Sequence, residues 1–493
     1  MLNVHRAANL SAKHQGFIYQ IEAFEAVKDL PYAAVFHEQG LGKTKIGVDL
    51  LLYWLRSDAV DSVIVITKKG LLRNWCDELA AHTHIEPRML SQDKHANFHA
   101  FNSPARVYLA HYEVFKSERK RLALFLKTRK VGALLDEAHK IKNPEASLTK
   151  VFFGLASGFK RRVIMTGTPV ANRPYDLWAQ IYFLDQGVAL GTDFRAFRQD
   201  LDLSNDLFTD PAKVHRFQIA LASVFEKIKA FAVRETKGTV DIKLPEKELR
   251  NIEVAMEPRQ QEIYVRFQKE MAAVVVKANK PVLDDAEEIL KRLMRLVQVA
   301  SNPRLVDDSY RATPGKFPYL LNLVHEAVDA GEKMIIWTSF TENADWLARE
   351  LSDFGSVRVH GKRSIFDRDN AIKNFKTDSA CKVLVATPAA AKEGLTLTVA
   401  NHAVFFDRSF SLDDYLQAQD RIHRISQTRP CTVTNLIACD SIDQWVDVLL
   451  AAKHLAAKLG QGDITADEYS KQATYVYGAM IRDVLGLEQH DER

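Results

Sequence analysis

Cysteine is scarce in this chain. Cys76, Cys381, Cys431 and Cys439 are the whole complement and form no close pair, so a reducing compartment is the default and no disulfide framework is expected. Long apolar runs are lacking too: none approaches the ~20 residues that cross a bilayer, which argues against a membrane partner. Met1 to Gln15 is polar and mixed, so no secretory signal is expected there. No short repeat and no low-complexity tract is found. An excess of charge is also missing. The 67 Lys and Arg stand against 63 Asp and Glu, for a net +4. That balance does not advertise a nucleic-acid partner, and any such partner requires basic residues to be locally concentrated.

What the chain has is length and apolar content. Its 493 residues are 47% hydrophobic and 26% charged, which excludes a mostly disordered chain. A core of this size needs no disulfide or zinc to hold it. Short apolar strands alternate with helix-length segments in two regions. The first holds Ala33–Phe36, Ser62–Thr67, Arg106–Ala110, Val131–Leu135 and Arg162–Met165. The second holds Lys333–Thr338, Val357–Val359, Lys382–Ala386, His402–Phe406 and Cys431–Ile437. This spacing predicts an α/β protein with two parallel-sheet lobes. From about Arg173 to Arg304 helical periodicity dominates, as in Asp284–Val299, where Ile289, Leu290, Leu293, Leu296 and Val297 recur at helical spacing. An extended segment, Lys243–Val254, interrupts it.

The string His37-Glu38-Gln39-Gly40-Leu41-Gly42-Lys43-Thr44-Lys45 follows a strand and opens an apolar helix. Gly40 and Gly42 let the backbone turn and aim N–H groups at phosphate oxygens. Lys43 would reach the β- and γ-phosphates, and Thr44 would hold Mg²⁺. The strict phosphate-loop pattern has Gly where His37 stands; the alternative is a Gly-rich turn with an exposed Lys. Downstream, Asp136 and Glu137 directly follow a buried strand. Asp136 can hold Mg²⁺ and Glu137 can polarise a water for attack on the γ-phosphate; the alternative is a pair of acids at a helix N-terminus. Thr166-Gly167-Thr168-Pro169 ends another strand and is either a hydroxyl-bearing contact or a simple Gly-Pro turn. Arg421 and Arg424, three apart, are expected on one helical face. They are either phosphoryl-stabilising guanidiniums or a solvated basic face.

Together these strings resemble the superfamily-two helicase-like ATPases, and specifically the Swi/Snf family of DNA translocases, from about Phe17 to about Trp445. Phe17-Ile18-Tyr19-Gln20 is similar to the family's adenine-reading segment. Glu38–Thr44 matches its first motif. Val63–Thr67 with Leu72-Arg73-Asn74-Trp75 matches the next strand and Trp helix. Leu135-Asp136-Glu137-Ala138-His139-Lys140-Ile141-Lys142-Asn143 is close to the family's Asp-Glu-Ala-His box. Met165–Asn172 with Leu177-Trp178, Leu244-Pro245, Met294–Leu305, Lys392–Thr398 and Gln417–Gln427 resemble later motifs. Over 160 residues separate Pro169 from Ile335, an insertion that marks this family among helicases. The wording of Gly394-Leu395-Thr396 and Asp420–Arg424 looks most like the annealing-helicase branch. Departures are Thr396 in place of Asn, Asp420 and Ser426 in place of Gly, and Glu235 where an Arg pair is usual.

The resemblance implies two RecA-like lobes with helical insertions: an ATPase lobe at 1–256 with an insertion at about 173–235, a protrusion and linker at 257–315, a helicase lobe at 316–450 and a helical tail at 451–493. It implies ATP and Mg²⁺ as cofactors. Gln20, Gly40, Gly42, Lys43, Thr44, Gly394 and Gln417 would contact nucleotide, and Thr44 and Asp136 the metal. Lys43, Asp136, Glu137, Arg421 and Arg424 would carry the chemistry. Duplex DNA would meet Lys68, Lys69, Arg73, Ser339, His360, Lys362, Arg363, Thr387 and Lys392 through its phosphates, without sequence preference. The run Lys116–Lys130 is either a further contact or a solvated helix, and Trp75 is expected in the core. The implied activity is ATP-driven translocation on double-stranded or branched DNA. Its rivals are a strand-separating or annealing helicase acting on DNA or RNA, and a nucleotide-gated scaffold without turnover. A monomer that is targeted by a protein partner or by DNA structure is expected. It would be cytoplasmic and nucleoid-associated in a bacterium or phage, and nuclear in a eukaryote.

Overall fold

The computed structural model describes residues 9–102, 105–170, 173–199, 201, 211–240, 244–277, 286–390, 396–465 and 467–469. The chain divides into two compact units. One comprises 1–201, 220–242 and 460–463; the other comprises 202–219, 243–459 and 464–493. Among the described residues no helix is long and apolar enough to cross a membrane.

The first unit carries β1 (Tyr32–Val35), β2 (Ser62–Thr67), β3 (Arg88–Leu90), β4 (Val107–His111), β5 (Val131–Asp136), β6 (Arg161–Met165) and β7 (Ala232–Val233). They form one sheet in the order β3-β4-β2-β5-β6-β1-β7, with every adjacent pair parallel. Parallel strands need helices on both faces, and their sequences then run apolar throughout rather than alternating. Strand β2 shows this: Ser-Val-Ile-Val-Ile-Thr is buried at all positions. Helix Lys43–Arg56 lies on this sheet with Ile46, Val48, Leu50, Leu51, Leu52, Trp54 and Leu55 all buried. Because every strand points the same way, the loops after β1, β2, β5 and β6 all emerge on one edge, where open α/β sheets place ligands.

The second unit carries β8 (Lys247–Val254), β9 (Met334–Trp337), β10 (Val357–Val359), β11 (Val383–Ala386), β12 (His402–Phe405) and β13 (Cys431–Ala438). Their order is β10-β11-β9-β12-β13-β8, again all parallel. Alternate residues of β9 enter two cores: Ile335 and Trp337 one, Met334 and Ile336 the other. Strand β8 corrects the boundary expected at residue 256. The segment read as part of the first lobe pairs with β13 from Lys247↔Cys431 to Val254↔Ala438. Its side chains are mostly exposed, so its place rests on backbone hydrogen bonds, which leave no apolar pattern in the sequence.

Helix Ala286–Ser301 closely follows the periodicity seen in sequence, with Leu293, Leu296 and Val297 buried; the side chains of Ile289 and Leu290 fall outside the described residues. Its end is tied into the sheet by a buried carboxylate. Asp407 accepts from Ser301 Oγ (2.7 Å), Thr338 Oγ1 (2.6 Å), Ser339 N (2.6 Å) and Asn343 Nδ2 (3.3 Å). Beside it Lys316, 1% exposed, pairs with Asp443 at 2.5 Å and donates to the Phe406 carbonyl at 2.8 Å.

Candidate nucleotide site

The loop after β1 has the backbone its glycines suggest. Gly40 sits at φ +89° and Gly42 at φ +70°, conformations that glycine adopts without steric cost. Helix Lys43–Arg56 begins immediately after, with Thr44 in its first turn. Lys43 Nζ arches back and donates to the carbonyls of His37 (2.9 Å) and Glu38 (3.3 Å). His37, which replaces the usual glycine, turns its ring inward: it is wholly buried, 6.0 Å from the Tyr19 ring. Burial and then the nearby Lys43 charge hold its pKa down at about 4, so it is neutral at pH 7. Gly167 of the Thr-Gly-Thr-Pro turn abuts the same loop. A Cβ there would meet Gln39 Cγ at 2.6 Å and Lys43 Nζ at 3.1 Å. Gln20 is buried, and its amide donates to the Leu41 carbonyl at 3.0 Å while Tyr19 Oη donates to the same carbonyl at 2.9 Å.

The two acids stand at the end of β5. Asp136 is enclosed, and its carboxylate accepts from Trp75 Nε1 (2.8 Å), Thr67 Oγ1 (3.1 Å) and Glu137 N (3.0 Å). Burial, then the Glu137 charge, raises its pKa to about 6 against the pull of Trp75, Lys43 and Thr67. Tyr112, fully buried, donates to the Asp136 carbonyl at 2.8 Å. Glu137 has φ +55° and ψ +48°, a left-handed backbone that costs a non-glycine residue about 1–2 kcal/mol. That kink turns two consecutive carboxylates to different partners. Burial by itself would raise Glu137, but His139, Lys68 and Lys43 together hold its carboxyl below the ordinary range. His139 Nδ1 lies 3.2 Å from Glu137 Oε2 and its Nε2 lies 2.7 Å from Lys68 Nζ. An ammonium only donates, so Nε2 accepts and the ring proton sits on Nδ1, facing Glu137.

In the second unit the arginines depart from expectation. The helix ends at Gln419, and Arg421 and Arg424 lie in the turns beyond it rather than on one helical face. Asp420 caps the helix, and the Gln427 amide then gathers the carbonyls of Ile422 and Ala400, both at 2.9 Å, which folds the chain back. Arg421 is only 3% exposed, so the solvated basic face is set aside. Arg424 donates to the Asp420 carbonyl and to Thr396 Oγ1, both at 3.0 Å, so Thr396 supplies an acceptor for it. Gln417 is buried and donates to Asp413 Oδ1 at 2.6 Å.

The residues assigned to DNA divide by exposure. Lys69 and Arg73 are exposed after β2, and Lys68 is partly so. Lys362 is exposed and paired with Glu342, and Arg363 lies 3.9 Å from Asp367. Ser339 is half-buried, its N–H on Asp407. Two of the assigned residues are buried. His360 is 1% exposed with Nε2 held by Asp345 at 3.1 Å, and Thr387 is 5% exposed with its N–H on the Val359 carbonyl. Both close sheet strands and turn inward. Lys392 and Gly394 lie outside the described residues. In the run Lys116–Lys130 the single acid, Glu118, is buried against Arg121 and Asn97. Sequence reasoning put Trp75 in the core but missed its bond to Asp136; it also missed Thr67, Tyr112 and the role of His139. Only the Trp helix and the box itself signalled them.

Comparison with known proteins supplies the context. A family model described as the SNF2-related domain matches residues 33–305, and one described as the helicase conserved C-terminal domain matches 315–426. The ISWI chromatin-remodeling complex ATPase ISW1 of Saccharomyces cerevisiae is 26% identical over 430 residues, covering 83% of this chain and 37% of that protein. The chromodomain-helicase-DNA-binding protein 1-like of Danio rerio is 26% identical over 428 residues, covering 83% of this chain and 40% of that protein. The chain thus spans about two fifths of the length of these relatives. Among solved structures, the Sulfolobus solfataricus SWI2/SNF2 ATPase core in complex with dsDNA aligns at 24% identity with TM-score 0.42, covering 97% of this chain and 98% of that one.

Proposed function

The chain belongs to the SNF2-related family, and from that membership we propose that it is a DNA-stimulated ATPase that translocates on double-stranded DNA. The observation that supports this most is the convergence of Lys43, Asp136 and Glu137 on one edge of a parallel sheet, with Lys68 joined to Glu137 through His139. The names of its relatives, a chromatin-remodeling ATPase and a helicase-DNA-binding protein, support DNA as the polymer.

The residues present fit Mg-ATP. Two left-handed glycines and a helix N-terminus offer N–H groups to phosphate, and the enclosed Asp136 offers a carboxylate braced by three donors. Thr44 and Asp136 would hold Mg²⁺, which when bound offsets charge on the β- and γ-phosphates. Lys43 leaves the His37 carbonyl for the phosphates. Glu137, ionised at neutral pH, orients the attacking water and accepts its proton. Arg421 and Arg424 stabilise charge on the transferring phosphoryl group. Lys68, Lys69, Arg73, Lys362 and Arg363 hold duplex phosphates, which carry no sequence information.

ATPase rates measured with duplex, forked and single-stranded DNA and with RNA test the proposal. Duplex or forked DNA stimulates most, and Glu137→Gln binds ATP and DNA without stimulated turnover. Full turnover by Glu137→Gln, or greatest stimulation by RNA, refutes it.

A further inference from the structure

After helix Ile442–Gly460 the chain returns to the first unit, with which residues 460–463 group. Gly460 lies against Leu221, where a Cβ would come within 2.7 Å, and Gly462 lies against the Phe225 ring. These contacts bring Asp463 to Arg234. The guanidinium forks onto its carboxylate, Nε donating to Oδ1 at 2.6 Å and Nη2 to Oδ2, with side chains 9% and 18% exposed. The third arm of the same guanidinium, Nη1, donates to the Phe36 carbonyl at 2.8 Å.

Phe36 opens the nucleotide loop. Its N–H donates to the Val233 carbonyl, that of Glu38 to the Glu235 carbonyl and that of Lys237 to Glu38 Oε2, each at 2.8 Å. The residues from Phe231 to Lys237 therefore form a rail for Phe36–Glu38, whose last two carbonyls hold Lys43. Strand β7 within that rail has only two residues and sits at the sheet edge. Such a strand is weak unless tied down, and the Arg234 fork ties it on both sides: to the loop by Nη1 and to the returning chain by Nε and Nη2.

We propose that Asp463 and Arg234 are positioning residues for the nucleotide loop, and that the segment following helix Ile442–Gly460 is a clasp through which ATP binding and the C-terminal chain influence one another. The proposal rests on the reading of this loop as an ATP site. A bidentate Arg–carboxylate pair adds geometric definition as well as energy, and coupling of this kind is reciprocal. Whatever the clasp contributes to ATP affinity, ATP returns to the docking of the clasp.

The test uses the full chain. Asp463→Asn keeps the side-chain shape and removes the charge. Its Kd for ATP, and its KM, rise about fivefold, while kcat stays within about twofold; Asp463→Glu recovers most of the affinity. In the wild type, ATP slows amide exchange across residues 461–465, and in Asp463→Asn it does so less. Unchanged ATP affinity in Asp463→Asn overturns the clasp, whatever its melting temperature does. So does unaltered exchange in a wild type that binds ATP. A wild type that does not bind ATP overturns the nucleotide reading itself, so the two failures are distinct.

Discussion

Trp75→Phe isolates one hydrogen bond at the centre of the site. Trp75 is wholly buried, and its indole N–H lies 2.8 Å from Asp136 Oδ2. Phenylalanine keeps most of the ring and loses that donor. A hydrogen bond to a charged acceptor contributes about 1.5–3 kcal/mol, so the apparent Mg²⁺ requirement of the ATPase rises by roughly tenfold to a hundredfold. The pH dependence has a definite sign. Asp136 titrates at about 6 because burial and Glu137 raise it while Trp75 pulls it down. Removing Trp75 raises it further. Below its pKa the carboxyl carries a proton that a cation must displace, so the Mg²⁺ requirement climbs as pH falls, and in the variant the climb begins at higher pH. The lost ring atoms also cost stability, on the order of 1–2 kcal/mol. Trp54→Phe is the control for that loss: Trp54 is equally buried, but its N–H goes to the Lys28 carbonyl. The assay is steady-state ATPase against Mg²⁺ between pH 5.5 and 8, with thermal melts of each protein. If both variants merely melt earlier, and Trp75→Phe superimposes on the wild type in Mg²⁺ and pH, then Trp75 is packing alone and does not tune Asp136.

Arg424→Ala loses its grip on Thr396 and the Asp420 carbonyl; DNA-stimulated kcat should fall about a thousandfold with ATP binding kept, and a loss under about tenfold removes Arg424 from the chemistry. Lys316→Met leaves Asp443 buried without its cation, and urea unfolding should show a loss of about 3–5 kcal/mol, partly recovered when Asp443→Asn is added; no loss would mean the pair is neutral to stability. If Lys68, Lys69, Arg73, Lys362 and Arg363 each touch a phosphate, log K for duplex binding should fall with log salt at a slope of about −4 to −5. Lys69→Ala should lessen that slope by about 1, while the buried His360→Ala should not change it; the reverse pattern refutes the exposure argument.

Much of this architecture is legible in sequence because a parallel sheet covered on both faces writes its strands as short apolar runs. Strands β2 and β10 fall where those runs do, and most others differ by one residue at an end. Strands β3 and β7 are not legible in sequence because three and two residues at a sheet edge carry no pattern, and the lobe of β8 is not legible because its partner is chosen by backbone pairing. Helix ends are similarly opaque: nothing in Gln417–Arg424 announces that the helix stops at Gln419, since neither glycine nor proline closes it and the turn is held from Gln427.

The sequence by itself determined the chemistry on offer: a glycine-bounded loop with Lys43 and Thr44, an acid pair after a strand, and two arginines near the end of a second sheet. These follow from residue type and local spacing, which travel with the chain whatever it packs against. Only the tertiary structure decided who braces whom. Trp75 reaches Asp136 across 61 positions, Lys68 reaches His139 across 71, and Arg234 reaches Asp463 across 229. Contacts of that kind arise because parallel strands deliver distant loops to one edge and because the chain comes back to its first unit at Gly460. No local pattern encodes either event.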